Sequence, residues 1–201
     1  QETDGVIEIH SRFSIASPAK QPFLRLEAVW KVDLDGTIFL SIDGNFDKVF
    51  PYLPRFGIGL KLPNDKTNVT YYGYGPYESY SDKHRASWVD RFDTTVDDMF
   101  EDYVFPQENG SHYNCQYASV GNLYAKGKKP FSFQASRYSE KELDEKAHNF
   151  ELVPSDGIYV ALDYKQSGIG SNSCGPRLAE KYQIREEKIE WEISIRFDNG
   201  N

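Results

Sequence analysis

Apolar and polar residues alternate with period two along most of the chain. A half-buried β-strand needs that spacing, because its successive side chains point to opposite faces. VIEIHSRFSIA (6–16) puts Ile7, Ile9 and Ser11 on one face and Val6, Glu8 and His10 on the other. FLRLEAVWKVDL (23–34) and GTIFLSIDGNF (36–46) repeat the habit and meet at Asp35-Gly36, a strong two-residue hairpin signal. Further strands are predicted at 55–62, 68–75, 86–95, 114–120, 129–138, 157–165 and 182–198. One segment predicts a helix: Ser139 and Glu142 form a capping box ahead of Leu143, Ala147 and Phe150 at helical spacing. Many strands, frequent Gly/Pro turns and one short helix predict an all-β protein, an antiparallel β-sandwich forming one domain over 1–201.

Composition narrows the partners. The 201 residues carry a net charge of -8, which argues against nucleic acid or an anionic membrane surface as the main partner. No apolar run approaches the roughly 20 residues that span a bilayer, and the first residues lack the basic-then-apolar pattern of a signal peptide. Two cysteines, Cys115 and Cys174, make no disulfide framework, so free thiols and a reducing, cytoplasmic compartment are expected. Asn68-Val-Thr70 and Asn109-Gly-Ser111 fit the glycosylation triplet and are read as turns. A first residue Gln1 in place of Met leads to the expectation of an excised fragment or a processed product.

Aromatic residues make up 15% of the chain, and five tyrosines fall in YYGYGPYESY (71–80). Such a cluster suits either a stacking platform for sugars or the alternating residues of a strand that turns at Gly75-Pro76; the second reading is preferred. Close carboxylate pairs are unavoidable among 31 acidic residues. Glu78, Asp82 and Glu108 stand out by lying in Gly/Pro-flanked loops, where capping turns is their ordinary role. No thiol-protease signature surrounds Cys174, and no C-x-x-C, H-E-x-x-H or EF-hand spacing occurs. Gly168-Ile-Gly170 begins a dinucleotide-type glycine pattern, but Ser173 stands at its sixth position and no helix pattern follows.

From Tyr72 onward the loops resemble a known family. YYGYGPYESYSDKHRAS, DDMFEDYVFPQENGSHYNCQY, FSFQASRYSEKELDEKAHNFEL and LDYKQSGIGSNSCGP (162–176) occur in the order found in lactose-operon-type β-galactosidases of glycoside hydrolase family two. The similarity is to their C-terminal domain, also called the small chain. It spans about 71–182 by motif; the first 65 residues match only as alternating strands.

The resemblance implies a supersandwich related to the galactose-mutarotase fold. It also implies a retaining enzyme that hydrolyses terminal β-D-galactosides such as lactose. In that family the catalytic glutamates lie in a TIM-barrel domain. No repeated βα pattern occurs in this chain, so catalytic residues and the whole enzyme's magnesium site are expected elsewhere. The partners implied are the barrel domain or large subunit, the galactoside and further copies in an oligomer. The family's loop corresponding to 162–176 reaches the sugar with a tryptophan, for which Cys174 stands here; other relatives also carry cysteine. Asn172, Ser173 and Cys174 are therefore the expected substrate contacts, the first two as hydrogen-bonding groups. Two other readings compete. One is a free-standing carbohydrate-binding module built on Tyr71–Tyr80. The other is a mutarotase using His148 and Glu151, although that pair is expected to fix the end of the helix against the sheet.

Overall fold

The computed structural model describes residues 2–3, 5–18, 20–47, 49–170 and 175–198. Eleven strands form one branched antiparallel sheet. They are β1 (Glu2–Thr3), β2 (Val6–Ile15), β3 (Leu24–Val32), β4 (Ile38–Phe46), β5 (Arg55–Pro63), β6 (Asn68–Gly75), β7 (Trp88–Thr95), β8 (His112–Val120), β9 (Leu123–Ser136), β10 (Gly157–Gln166) and β11 (Lys188–Phe197). The order β1-β2-β3-β4-β11-β9-β8-β6-β7 makes the long path, and β10 with β5 branches from β9.

The branch arises inside β9. Its first half pairs with β11 (Gly127 opposite Ile193, Leu123 opposite Phe197) and its second half with β10 (Ser132 opposite Asp163, Ser136 opposite Tyr159). Gly127 closes the first half, and Pro130 lies between the two. Proline cannot donate to a ladder, so it marks an interruption of regular pairing. A Cβ on Gly127 would stand 2.2 Å from the Lys129 carbonyl oxygen, so only glycine fits this bend. The neighbouring β8 is bulged at the same level, with register shifts between His112, Cys115 and Tyr117 and a positive φ at Asn114.

The two branches face each other. Phe56 of β5 meets Trp191 of β11 edge to face at 6.5 Å, and both belong to one buried apolar cluster with Leu24, Leu40, Phe131 and Ile158. This is the antiparallel sandwich that the alternation predicts. Under β6, β8 and β9, Tyr71, His112 and Phe133 stack at 4.2 and 5.5 Å, all fully buried. Burial holds the His112 imidazole neutral and brings its pKa down to about 4. Cys115 is buried beside Gly73 with its thiol pKa pushed up by that burial, which removes it as a nucleophile.

Three local expectations are corrected. The helix α1 covers only Glu140–Glu145; Lys146 is extended, so Ala147 and Phe150 do not continue it, and Phe150 is 81% exposed. His148 and Glu151 do not fix its end against the sheet. They cap a separate exposed 3₁₀ turn, Asn149–Glu151, in which the Glu151 carboxylate accepts from the His148 N–H at 2.8 Å. The β3–β4 connection is a three-residue loop closed by the Asp33 N–H donating to the Thr37 carbonyl, with Gly36 at φ +80°.

Candidate functional site: the root of the 167–175 loop and its ion network

The loop after β10 leaves from a firmly held root. The Ser167 N–H donates to the Pro54 carbonyl at 2.9 Å, and the Ser167 hydroxyl to the Leu53 carbonyl at 2.6 Å. That hydroxyl also accepts from the Ile184 N–H at 3.0 Å, and the Gly168 N–H donates to Tyr182 at 2.9 Å. The Asp82 carboxylate then accepts from the N–H groups of Ile169 (3.2 Å) and Gly170 (2.9 Å). The two glycines have separate reasons. A Cβ on Gly168 would stand 2.4 Å from the Asp82 carboxyl carbon, and Gly170 sits at φ +64°. Asn172, Ser173 and Cys174 lie outside the described residues. Beyond them the chain re-enters through Leu178, whose carbonyl accepts from Gln183 at 2.8 Å.

The root adjoins an ion network. Gln166 donates to Glu108 at 3.1 Å, and Arg55, opposite Gln166 in the β5–β10 ladder, gathers three carboxylates. Its guanidinium is bidentate to Asp163 (3.1 and 2.7 Å) and reaches Glu108 at 3.3 Å and Glu140 at 3.0 Å. The Gln134 side-chain oxygen accepts from it as well, at 3.3 Å. Asp163 is buried, and its burial pushes its pKa up against the opposing pull of Arg55; burial does the same to Glu108. The network opens into a cleft of about 1100 Å³ lined also by Tyr138, Tyr159 and Phe105.

A second carboxylate centre lies behind it. Buried Glu78 accepts from Lys83, from the Tyr103 hydroxyl, from Tyr80 at 3.2 Å and from the Gly110 N–H at 3.0 Å. Burial alone would raise its pKa, but the donors outweigh burial and hold it below the usual range. The segment 108–110 joins both centres: Glu108 turns to Arg55, Gly110 to Glu78, and the carbonyl of Asn109 accepts from Gln134.

The three loop carboxylates singled out by sequence therefore do different things, each within a hydrogen-bond network: Glu78 and Glu108 join loops and Asp82 holds the root. Arg55, Gln134 and Asp163 were not singled out. The available signal was an aspartate within the apolar run of GIYVALDY, which needs a buried cation. The tyrosine cluster does not form one platform. Tyr71 and Tyr80 are buried, Tyr72 and Tyr74 stack on Tyr117 and Tyr113 along the sheet, and Tyr77 is exposed. Among the described residues no group of three or more His, Cys, Asp or Glu side chains is arranged to hold a metal ion. The three carboxylates Asp163, Glu108 and Glu140 already surround the Arg55 cation and do not fit a magnesium ion.

A family model described as "Beta galactosidase small chain" matches residues 1–197. The chain is 41% identical to a β-galactosidase of Actinobacillus pleuropneumoniae over 198 residues, covering 98% of this chain and 19% of that protein. It is 40% identical to a β-galactosidase of Staphylococcus xylosus over 203 residues, covering 98% and 20%. Among solved structures it is similar to a galactose 1-epimerase from Lactobacillus acidophilus NCFM. There the TM-score is 0.45 at 10% identity, over 98% of this chain and 63% of that one. A GalM/aldose epimerase homologue from C. elegans gives a TM-score of 0.47 at 7% identity, over 100% and 68%. The chain thus spans about a fifth of the length of the β-galactosidases it matches. By the family match and these relatives alike, it belongs to the β-galactosidase small-chain family.

Proposed function

We propose that this chain is a non-catalytic part of a retaining β-galactosidase and completes the galactoside pocket of the larger enzyme with Asn172, Ser173 and Cys174. The observation that carries the reading is the family match along nearly the whole chain, together with relatives five times its length. The catalytic carboxylates and the magnesium site then belong to the remaining part, a barrel domain or large subunit, and the working enzyme is an oligomer in the cytoplasm. The structure supports a positioning role for this part. Every amide from Ser167 to Gly170 is tied down, so a loop projected from that root has a fixed point of departure. Preorganisation of that kind lowers the entropy lost when a ligand binds.

On this reading Asn172 and Ser173 hydrogen-bond sugar hydroxyls, and Cys174 offers a small apolar contact in place of a stacking ring. The test is steady-state kinetics of the whole enzyme on lactose and a nitrophenyl galactoside, with Asn172→Ala and Ser173→Ala made singly and together. The double variant is expected to lose roughly tenfold or more in kcat/KM, the effect of about 1.4 kcal/mol of lost binding. Values within twofold of the parent on both substrates would remove the loop from the pocket. The chain alone is expected to hydrolyse neither substrate.

A further inference from the structure

Strands β2, β3, β4 and β11 lie side by side, and their register sorts the side chains into two faces. On one face Ile9 stands opposite Trp30, Trp30 opposite Leu40, and Leu40 opposite Ile193. Two same-face steps along, beyond Ser11 opposite Ala28, Phe13 stands opposite Leu26. The other face of the same strands is charged: Arg12 pairs with Glu27 at 2.9 Å, and Asp43 and Glu190 continue that row. The apolar face is therefore the core face, and the charged one faces solvent.

Burial along the core face falls off from the centre outward. Ile193 and Leu40 are 2% and 1% exposed, whereas Ile9 is 53%, Phe13 46% and Ile15 41% exposed. The opposing layer ends at β5, which packs on β11 through Phe56. Nothing among the described residues lies over β2 to bury these side chains. Among the described residues nothing pairs with the outer edge of β2 beyond its first two residues, since β1 pairs only with Val6 and Ile7. Exposed edges in stable proteins are usually blunted by charge, proline or a bulge, and a row of exposed large apolar side chains, interrupted only by Ser11, marks an interface.

We infer that the β2 face is an internal interface of the whole enzyme, closed by an apolar, strand-forming segment from the other four-fifths of that enzyme. That segment extends the opposing layer beyond β5 and lies over Ile9, Phe13 and Ile15. Two observations favour it over a free surface. The exposed side chains continue rows that are fully buried two strands away. The relatives also carry enough further polypeptide to supply a cover. The inference rests on the chain being one part of a longer enzyme, but not on the role of Asn172, Ser173 and Cys174.

The test uses the whole enzyme and reads accessibility rather than activity, so it stands apart from the pocket kinetics. Ile9→Cys and Phe13→Cys are made singly, treated with a maleimide, and the modified peptide quantified in native and urea-unfolded enzyme. A buried interface is expected to slow native labelling about a hundredfold or more, and slowing of less than about tenfold overturns it. If a cysteine variant does not fold, hydrogen exchange of residues 8–15 in the unsubstituted enzyme decides. Sustained protection along the outer edge of β2 supports the interface, and free exchange there overturns it. Protection that disappears when the oligomer is diluted to single enzymes identifies a second copy as the cover and also overturns the inference.

Discussion

Glu78 and Arg55 anchor two neighbouring polar centres that solve burial of charge in opposite ways. At Glu78 one carboxylate takes four donors, and a single lysine supplies the counter-charge. At Arg55 one guanidinium serves three carboxylates and the centre remains short of positive charge. The outcome is visible in acidity. The donors hold Glu78 below the usual carboxylate range in spite of its burial, while burial lifts Asp163 and Glu108 above it in spite of Arg55. A closed loop junction and the floor of an open cleft thus differ in how many donors meet each carboxylate.

The largest break in this comparison is Arg55→Ala. It leaves Asp163, with a side chain 3% exposed, without its bidentate partner, and Glu108 without its cation. Removing one partner of a buried pair costs about 3–5 kcal/mol, and that loss is expected in urea unfolding at pH 7. Arg55→Lys should recover only part of it, because an ammonium cannot serve both Asp163 oxygens in the fork geometry. A loss below about 1 kcal/mol would mean that the centre behaves as a surface ion pair.

Glu78→Gln is expected to cost about 2 kcal/mol at neutral pH, since charge-assisted hydrogen bonds become neutral ones. The sign of its pH dependence follows from the lowered pKa. A carboxyl whose folded pKa is depressed stabilises the fold above its unfolded value, near 4.5, and that stability is lost as pH falls through the folded value. The gap between parent and Glu78→Gln should therefore narrow on going from pH 7 towards pH 3. Chemical denaturation at four or five pH values measures it, and a constant gap would refute the linkage.

Much of the fold was legible because strands announce themselves through alternation, and ten of the eleven correspond to predicted runs. Even so, the first half of β9 was hidden, because LYAKGKK mixes lysines and a glycine into the run that pairs with β11. Helical spacing at Leu143, Ala147 and Phe150 overstated α1, since only Leu143 finds the core. The loop glycines were legible as special, but the reason was not. Asp82 meets Gly168 and Gly170 across more than eighty residues of chain. Arg55 and Asp163 are 108 residues apart, joined by the β5–β10 pairing. Spacing reports local faces; it carries no register between distant strands.

The smallest effect sharpens the comparison most, because its sign is opposite. Glu108→Gln removes one of the three carboxylates around Arg55 and keeps a side chain able to accept from it, so the loss at pH 7 should stay within about 1 kcal/mol. A carboxyl with a raised folded pKa contributes stability that is fully present below its unfolded value and is lost as pH rises through the folded one. The parent should therefore gain on Glu108→Gln as pH falls from 7 towards 4, where it loses its advantage over Glu78→Gln. Parallel slopes for the two variants would mean that Glu108 is held as an ordinary ionised partner of Arg55. Opposite slopes would mean that the cleft keeps a carboxyl ready to take up a proton beside the root of the 167–175 loop. That is a property a junction such as Glu78, saturated with donors, cannot have.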